Sequence, residues 1–164
     1  MKRLAWLVAV GALAGGTAGA QDLGRGIALY NQGNYAQAEP VFRAAVPAVE
    51  ARAWLAATLV RLERYAEAEP QASTVLAANP VHARAVAALG EALVMQQKLD
   101  PAIARMSGAL EKKNDLAYAY YWRGQAYQRN KQIARMVDDY QAFLRLEPEA
   151  PEAPALKVLL ASLQ

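Results

Sequence analysis

The motif GNYAQAEP at residues 33–40 returns as ERYAEAEP at residues 63–70, which is 30 residues further along the chain. Beyond the second copy the step becomes 34 residues, and it is kept by the series Ala68, Ala102, Met136 and by the series Leu76, Leu110, Leu144. A period of this length, held over most of a chain, is typical of stacked supersecondary repeats. The repeat therefore predicts an architecture of stacked repeats, independently of the role of any single residue.

Apolar residues within each repeat recur at spacings of three and four, which is the pattern of an amphipathic helix. In the third repeat Val86, Leu89 and Leu93 form one stripe, and a polar hinge at 96–98 precedes the next. The pattern predicts an all-α fold, in which Asn34, Asp100 and Asp115 are expected to cap helix starts. The predicted helices are 22–32 and 35–46, 50–62 and 65–78, 81–96 and 99–112, 115–129 and 132–146, and a last helix over 154–163.

These residues resemble the tetratricopeptide repeat (TPR) family over nearly all of the chain after residue 20. That family has a small residue at the eighth repeat position and an alanine at the twentieth. A large apolar residue lies three positions before that alanine, and a bulky one four positions after it. The matching sets are Gly26, Ala56, Gly90, Gly124; Ala38, Ala68, Ala102, Met136; Tyr35, Tyr65, Leu99, Ile133; and Phe42, Ala72, Met106, Tyr140. Met136 and Ala72 depart from the family pattern.

The resemblance implies a right-handed α-solenoid of four stacked helix-turn-helix units, closed by a C-terminal capping helix at 149–164. The four units occupy residues 21–148, divided at about 22–47, 48–80, 81–114 and 115–148. In such a solenoid the first helix of each unit lines a concave face. The last helix is expected to cover the open end of unit four.

The N-terminus is built like a secretory signal. Two basic residues precede eleven apolar residues at 4–14, and Ala18-Gly19-Ala20 offers small residues to a signal peptidase. We predict that residues 1–20 are a signal peptide cleaved after Ala20. The alternative, a membrane anchor, is disfavoured because the apolar run is far shorter than the ~20 residues that span a bilayer. The protein is expected to be periplasmic or secreted, with no membrane span once the signal is removed.

Composition excludes several function classes. The formal net charge of the chain is +3, and removing Lys2 and Arg3 with the signal leaves +1. The charges are dispersed, so we expect no nucleic-acid partner, which would require a basic patch. Cysteine is absent, which excludes a thiol nucleophile and disulfides.

The sequence contains few candidate catalytic residues. The single histidine, His82, follows a turn and is expected to face solvent at a helix start. Asp138 and Asp139 are adjacent carboxylates, but neighbours on a helix diverge, so they are not expected to work as a catalytic pair. Both are expected to lie on a solvated helix face. We predict a protein that is not an enzyme, with no catalytic residue, cofactor or metal site.

The resemblance implies that function resides in the concave groove, as a scaffold or adaptor in the bacterial cell envelope that binds a protein or peptide segment. The alternative is a self-associating structural or assembly module. Tyr118 and Tyr121 either pack between helices or anchor the bound segment, since exposed rings are frequent binding hot spots. The predicted groove residues are Ile27, Tyr30, Asn31, Arg61, Arg84, Glu91, Tyr118, Tyr121, Gln125 and Gln128.

Overall fold

A computed structural model describes the backbone of residues 15–163 and the side chains of residues 22–163. Within that range the regular elements are nine α-helices. Their bounds are α1 Gly15–Asn31, α2 Tyr35–Ala45, α3 Val49–Arg61, α4 Tyr65–Ala78, α5 Ala83–Met95, α6 Leu99–Lys112, α7 Ala117–Arg129, α8 Ile133–Leu146 and α9 Ala153–Ala161. Helices α2 to α9 begin and end within two residues of the predicted bounds.

The start of α1 differs from the prediction. The described part of the helix extends from Gly15, seven residues before the predicted start at residue 22, and it includes Gly15, Gly16 and Thr17. No proline interrupts this stretch, and the alanines that follow favour the helix. The predicted cleavage site after Ala20 thus lies inside α1, whereas the apolar core at 4–14 lies outside the described residues. Signal cleavage stays a prediction.

The hinge inside each unit is the same turn, repeated four times. The second residue after each first helix has a positive φ, and these residues are Gly33, Glu63, Gln97 and Lys131. In unit one, Gly33 N–H bonds Tyr30 C=O and Asn34 N–H bonds Leu29 C=O, at 2.9 Å each. Corresponding bonds close the other three hinges. This pattern is the Schellman motif, which satisfies the last carbonyls of a helix and reverses the chain.

The repeated turn also explains why helix caps were predicted wrongly. Asn34 does occupy the N-cap of α2, yet its ψ is 56° and its side chain makes no capping bond. An N-cap oxygen reaches the helix N–H groups from extended backbone, which the tight hinge does not allow. Neither Asp100 nor Asp115 is an N-cap, because α6 is preceded by Lys98 and α7 by Leu116.

Contacts between helices define an inner and an outer layer. The two helices of each unit pack together, and each second helix packs on the first helix of the next unit. First helices also contact one another directly, α3 with α5 and α5 with α7. In the described part of the chain the second helices do not pack on one another, and α2 meets α4 through side chains, as in the Arg43–Glu67 ion pair at 3.1 Å. The first helices therefore line one continuous face of an α-solenoid.

The eighth position of the repeat is small because an aromatic ring lies against it. A Cβ added to Gly26 would lie 2.6 Å from the Phe42 ring, and one added to Gly124 would lie 2.7 Å from the Tyr140 ring. At Gly90 the neighbour is Trp122, from the first helix of the next unit rather than from the second helix of the same unit. The small residue thus serves packing within a unit at two positions and between units at the third.

We predict that Gly90→Ala destabilises the protein by about 1–2 kcal/mol. Its new Cβ would lie 2.7 Å from the Cβ of Trp122, an atom close to the backbone that cannot rotate away. Overpacking costs about 1–3 kcal/mol, and the gain in helix propensity offsets roughly 0.5–1 kcal/mol of it. Urea unfolding followed by far-UV circular dichroism measures the difference.

Gly108→Ala is the matched control for this change. Gly108 lies inside α6 with no atom within 4 Å of the added Cβ, so the substitution is expected to stabilise by about 0.5–1 kcal/mol. Equal effects of the two substitutions would contradict the packing role of Gly90.

A largely buried ion pair joins the two helices of unit four and is hydrogen-bonded to unit three. Arg123 of α7 donates to both oxygens of Asp139 of α8, from Nε at 2.8 Å and from Nη2 at 2.7 Å, and its Nη1 donates to Ser107 Oγ of α6 at 2.9 Å. The hydrogen bonds that Arg123 donates to Asp139 raise the pKa of its guanidinium. Asp138 and Asp139 were both expected on a solvated face. That expectation was wrong for Asp139, which is only 4% exposed. It holds for Asp138, which is exposed. Neighbours on a helix do diverge, and one of this pair points inward.

Candidate binding groove

The ten predicted groove residues all lie on first helices. Asn31, Arg61 and Gln128 are exposed, and the other seven are half-buried. The groove floor between them is apolar and low, because Ala53, Ala57 and Val60 of α3 and Val94 of α5 are buried, while Ala87 is half-buried. Short side chains along the middle of the face leave room between the longer ones at its edges.

The first part of the groove is an aromatic cluster covered by a cation. The Tyr30 ring meets the Trp54 ring edge-on at 5.1 Å, and Phe42 stacks on Trp54 at 5.8 Å. The Arg84 guanidinium carbon lies 3.4 Å from the Trp54 ring centroid, which is a cation–π contact between units two and three. Arg84 also donates to Glu50 at 3.0 Å, and burial lowers the pKa of its guanidinium. The charge of Arg84 is therefore already paired.

A second cation of the groove is also paired. Arg61, near the end of α3, donates to Glu91 of α5 at 3.0 Å. Burial raises the pKa of the Glu91 carboxyl; Arg61 opposes that rise and Glu152 adds to it. Glu152 immediately precedes α9, so the start of the last helix lies within electrostatic range of the groove.

Tyr118 and Tyr121 have intramolecular partners. The Tyr118 hydroxyl donates to Glu152 at 3.2 Å, and its ring lies 5.4 Å from Phe143. Burial raises the pKa of Tyr118 to about 12, and Glu152 adds to the rise. Tyr121 lies 4.8 Å from Trp122 and 5.2 Å from Phe143. Both rings therefore pack against their neighbours, and each keeps a partly exposed edge on the groove.

The polar residues of α7 form a stripe beyond Tyr121. Gln125 donates to the Tyr121 hydroxyl at 3.2 Å, and Gln128 accepts from the buried Tyr140 hydroxyl at 2.7 Å. Arg129 follows and donates from Nη1 to the Val94 carbonyl at 2.9 Å. These contacts hold the side chains in defined orientations on the face of unit four.

A cavity of about 650 Å³ opens at the edge of the groove where the first helices begin. Glu50, His82, Arg84, Ala87, Lys113 and Tyr118 are among its lining residues. The cavity thus joins the groove edge to the turn that precedes α5.

His82 does not face solvent as predicted. Its side chain is 15% exposed, and its Nδ1 accepts the Ala85 N–H at 3.4 Å, which makes it the N-cap of α5. Its Nε2 lies 3.1 Å from Glu50 Oε2. Because Nδ1 accepts, the ring proton belongs on Nε2 and is donated to Glu50. The sequence signal for this role was its position at a helix start, where histidine is an uncommon cap.

Among the described residues there is no group of three or more potential metal ligands of the His, Cys, Asp and Glu types. None of the helices in this part of the chain is both long enough and apolar enough to span a membrane.

Tetratricopeptide repeat profiles match residues 23–57, 55–117 and 117–149. A comparison with curated protein sequences found no significant match.

Solved structures share the arrangement of helices. MamA 41-end from Desulfovibrio magneticus RS-1 is 25% identical with a TM-score of 0.69, over 81% of this chain and 77% of that one. TTC0263 of Thermus thermophilus, described as a thermophilic TPR protein, is 24% identical with a TM-score of 0.75, over 88% and 80% of the two chains. YrrB, described as a TPR protein with an unusual peptide-binding site, is 21% identical with a TM-score of 0.69, over 85% and 74%.

Proposed function

The chain belongs to the tetratricopeptide repeat family, and from that premise we propose that it is an exported adaptor that binds a segment of another envelope protein in its concave groove. Proteins of this fold are protein-interaction scaffolds, and the YrrB structure is described as having a peptide-binding site. The location, the groove as the working surface and the class of partner are the parts that we propose.

One observation carries the groove proposal. The first helices contact one another along the inner layer, and their floor is built from alanine and valine between half-buried aromatic and charged residues. An apolar channel with a few placed polar groups is the composition of a binding site for a peptide segment. The second helices form no comparable continuous face, because within the described range they do not pack on one another and meet through charged side chains such as Arg43 and Glu67.

We expect Ala87→Arg to abolish binding without unfolding the protein. Ala87 is half-buried on the groove floor, so a long side chain there fills the channel and removes no existing contact. Tyr121 and Arg84 are poorer probes, because shortening them would also remove contacts with Phe143 and Trp54. The probe is an immobilised library of short, N-acetylated and C-amidated peptides, and the measurement is retention of the labelled protein on each peptide.

The matched control is Ala104→Arg, which adds the same side chain at an exposed position of the second helix α6. Wild type and Ala104→Arg should be retained by the same peptides, and Ala87→Arg by none of them. Retention of Ala87→Arg by the same peptides, or no retention of the wild type by any peptide, would refute the groove proposal.

Export is supported by the three-part N-terminal segment. If residues 1–20 are removed as we propose, α1 is shortened to its part beyond Ala20, which still contains Gly26 and Ile27. The intact mass of the protein recovered from the envelope fraction of expressing cells should correspond to a chain that begins at Gln21. A mass that includes residues 1–20 would show that the segment is retained.

A further inference from the structure

The three arginines of the groove differ in what neutralises them. Arg61 is paired with Glu91 and Arg84 with Glu50, each at 3.0 Å. Arg129 contacts only neutral acceptors in the described part of the chain, the Val94 carbonyl at 2.9 Å and Met95 Sδ at 3.7 Å. The guanidinium is exposed, and these two contacts use two of its five N–H donors. Arg129 therefore combines a fixed position with an uncompensated charge.

The preceding residue, Gln128, carries further donors at the same end of α7. Gln128 accepts the Tyr140 hydroxyl proton with its carbonyl oxygen, so its amide group, which carries two donors, is directed away from that hydroxyl. Gln128 is exposed, and Arg129 is close enough to Tyr140 to oppose the rise that burial causes in the pKa of this phenol. The C-terminal end of α7 thus presents hydrogen-bond donors and a positive charge.

We propose that Arg129 is the groove subsite that takes an acidic side chain of the bound segment. The proposal rests on the proposed function, since it names the chemistry of the partner at that groove. A carboxylate is planar and accepts paired hydrogen bonds from a guanidinium, which makes it the complement of the free donors of Arg129.

The test compares peptides that the wild-type protein retains with versions in which each Glu or Asp is replaced singly by Gln or Asn. Affinities are measured by fluorescence polarisation. At one position the replacement should weaken binding to wild type by about ten-fold, which corresponds to about 1.4 kcal/mol. In Arg129→Gln this penalty should disappear, because the charge partner is absent from the protein.

Arg145→Gln is the matched control, because Arg145 is an exposed arginine near the end of the second helix α8. It should keep the full ten-fold penalty. A thermal melt of Arg129→Gln should match that of wild type, since glutamine can still donate to the Val94 carbonyl. Arg129→Lys should recover part of the penalty.

A penalty that persists in Arg129→Gln, or the absence of any acid-sensitive position, would overturn the subsite while peptide binding by the groove still stood. Binding of peptides with a free C-terminal carboxylate in preference to their amidated versions would also overturn it, in favour of a terminal carboxylate. Failure of the groove proposal has a separate sign, which is binding that survives Ala87→Arg.

Discussion

Truncation after Pro148 is expected to destabilise the protein by about 3–6 kcal/mol and to promote aggregation. The deleted segment contains α9, whose Leu156 is 5% exposed and packs with Tyr140 and Phe143, while Leu159 and Leu160 are half-buried on the same cluster. A fully buried leucine contributes about 1.5–3 kcal/mol, and these three amount to roughly two such residues. The cut also removes the Glu152 acceptor of Tyr118. Thermal melts and light scattering of the truncated and intact chains measure both effects.

Two single substitutions separate burial from chain length in this prediction. Leu156→Ala should cost about 2–5 kcal/mol, the usual range for a leucine truncated in a core. Val158→Ala, on the same helix but 73% exposed, should change stability by less than about 0.5 kcal/mol. A truncated chain that melts like the intact one would remove the capping role of α9.

Asp139→Ala is expected to cost about 3–5 kcal/mol. The substitution leaves the Arg123 guanidinium, whose side chain is 19% exposed, without the carboxylate that accepts two of its hydrogen bonds. An ionised group left buried without its partner has a cost of this size. The loss should appear as a lower urea midpoint, and chiefly in units three and four, because Ser107, Arg123 and Asp139 join α6, α7 and α8.

The adjacent aspartate supplies the control for this change. Asp138 is exposed, so Asp138→Ala should alter stability by no more than about 0.5 kcal/mol. Replacing both Arg123 and Asp139 by leucine should recover most of the loss, since an apolar pair leaves no unpaired charge. If Asp139→Ala and Asp138→Ala unfold at the same urea concentration, the ion pair does not contribute as the geometry indicates.

The helices were predictable because the information that specifies them is local and repeated. Four copies of the same apolar spacing set the helix bounds to within two residues for α2 to α9, and Pro47 accounts for the early end of α2 at Ala45. The turn between the helices of a unit was expected as a polar hinge, yet its geometry was not. Glu63, Gln97 and Lys131 adopt a positive φ although they are not glycine, so their residue types do not predict this backbone conformation.

The groove was predictable as a set of positions but not as a set of interactions. Register alone placed Arg61, Arg84 and Glu91 on first helices, where they lie. It could not indicate that Arg84 stacks on Trp54, that Arg61 is neutralised by Glu91, or that Glu152 reaches Tyr118 from the segment before α9. These partners are separated by 30 to 34 residues and come together only when successive units stack.

The sequence by itself determined the repeat, the helical content, the family and the rows of residues that line the inner layer. Each of these follows from the spacing of residues along one helix or from one unit to the next, which can be read directly from the sequence. Only the tertiary structure decided which charges are compensated. It buried Asp139 and left Asp138 in solvent, and it paired two groove arginines while leaving Arg129 free to donate. The physical reason is that the energy of a charge depends on its burial and on the few ångströms to its partner, and both are set by how helices distant in sequence pack together.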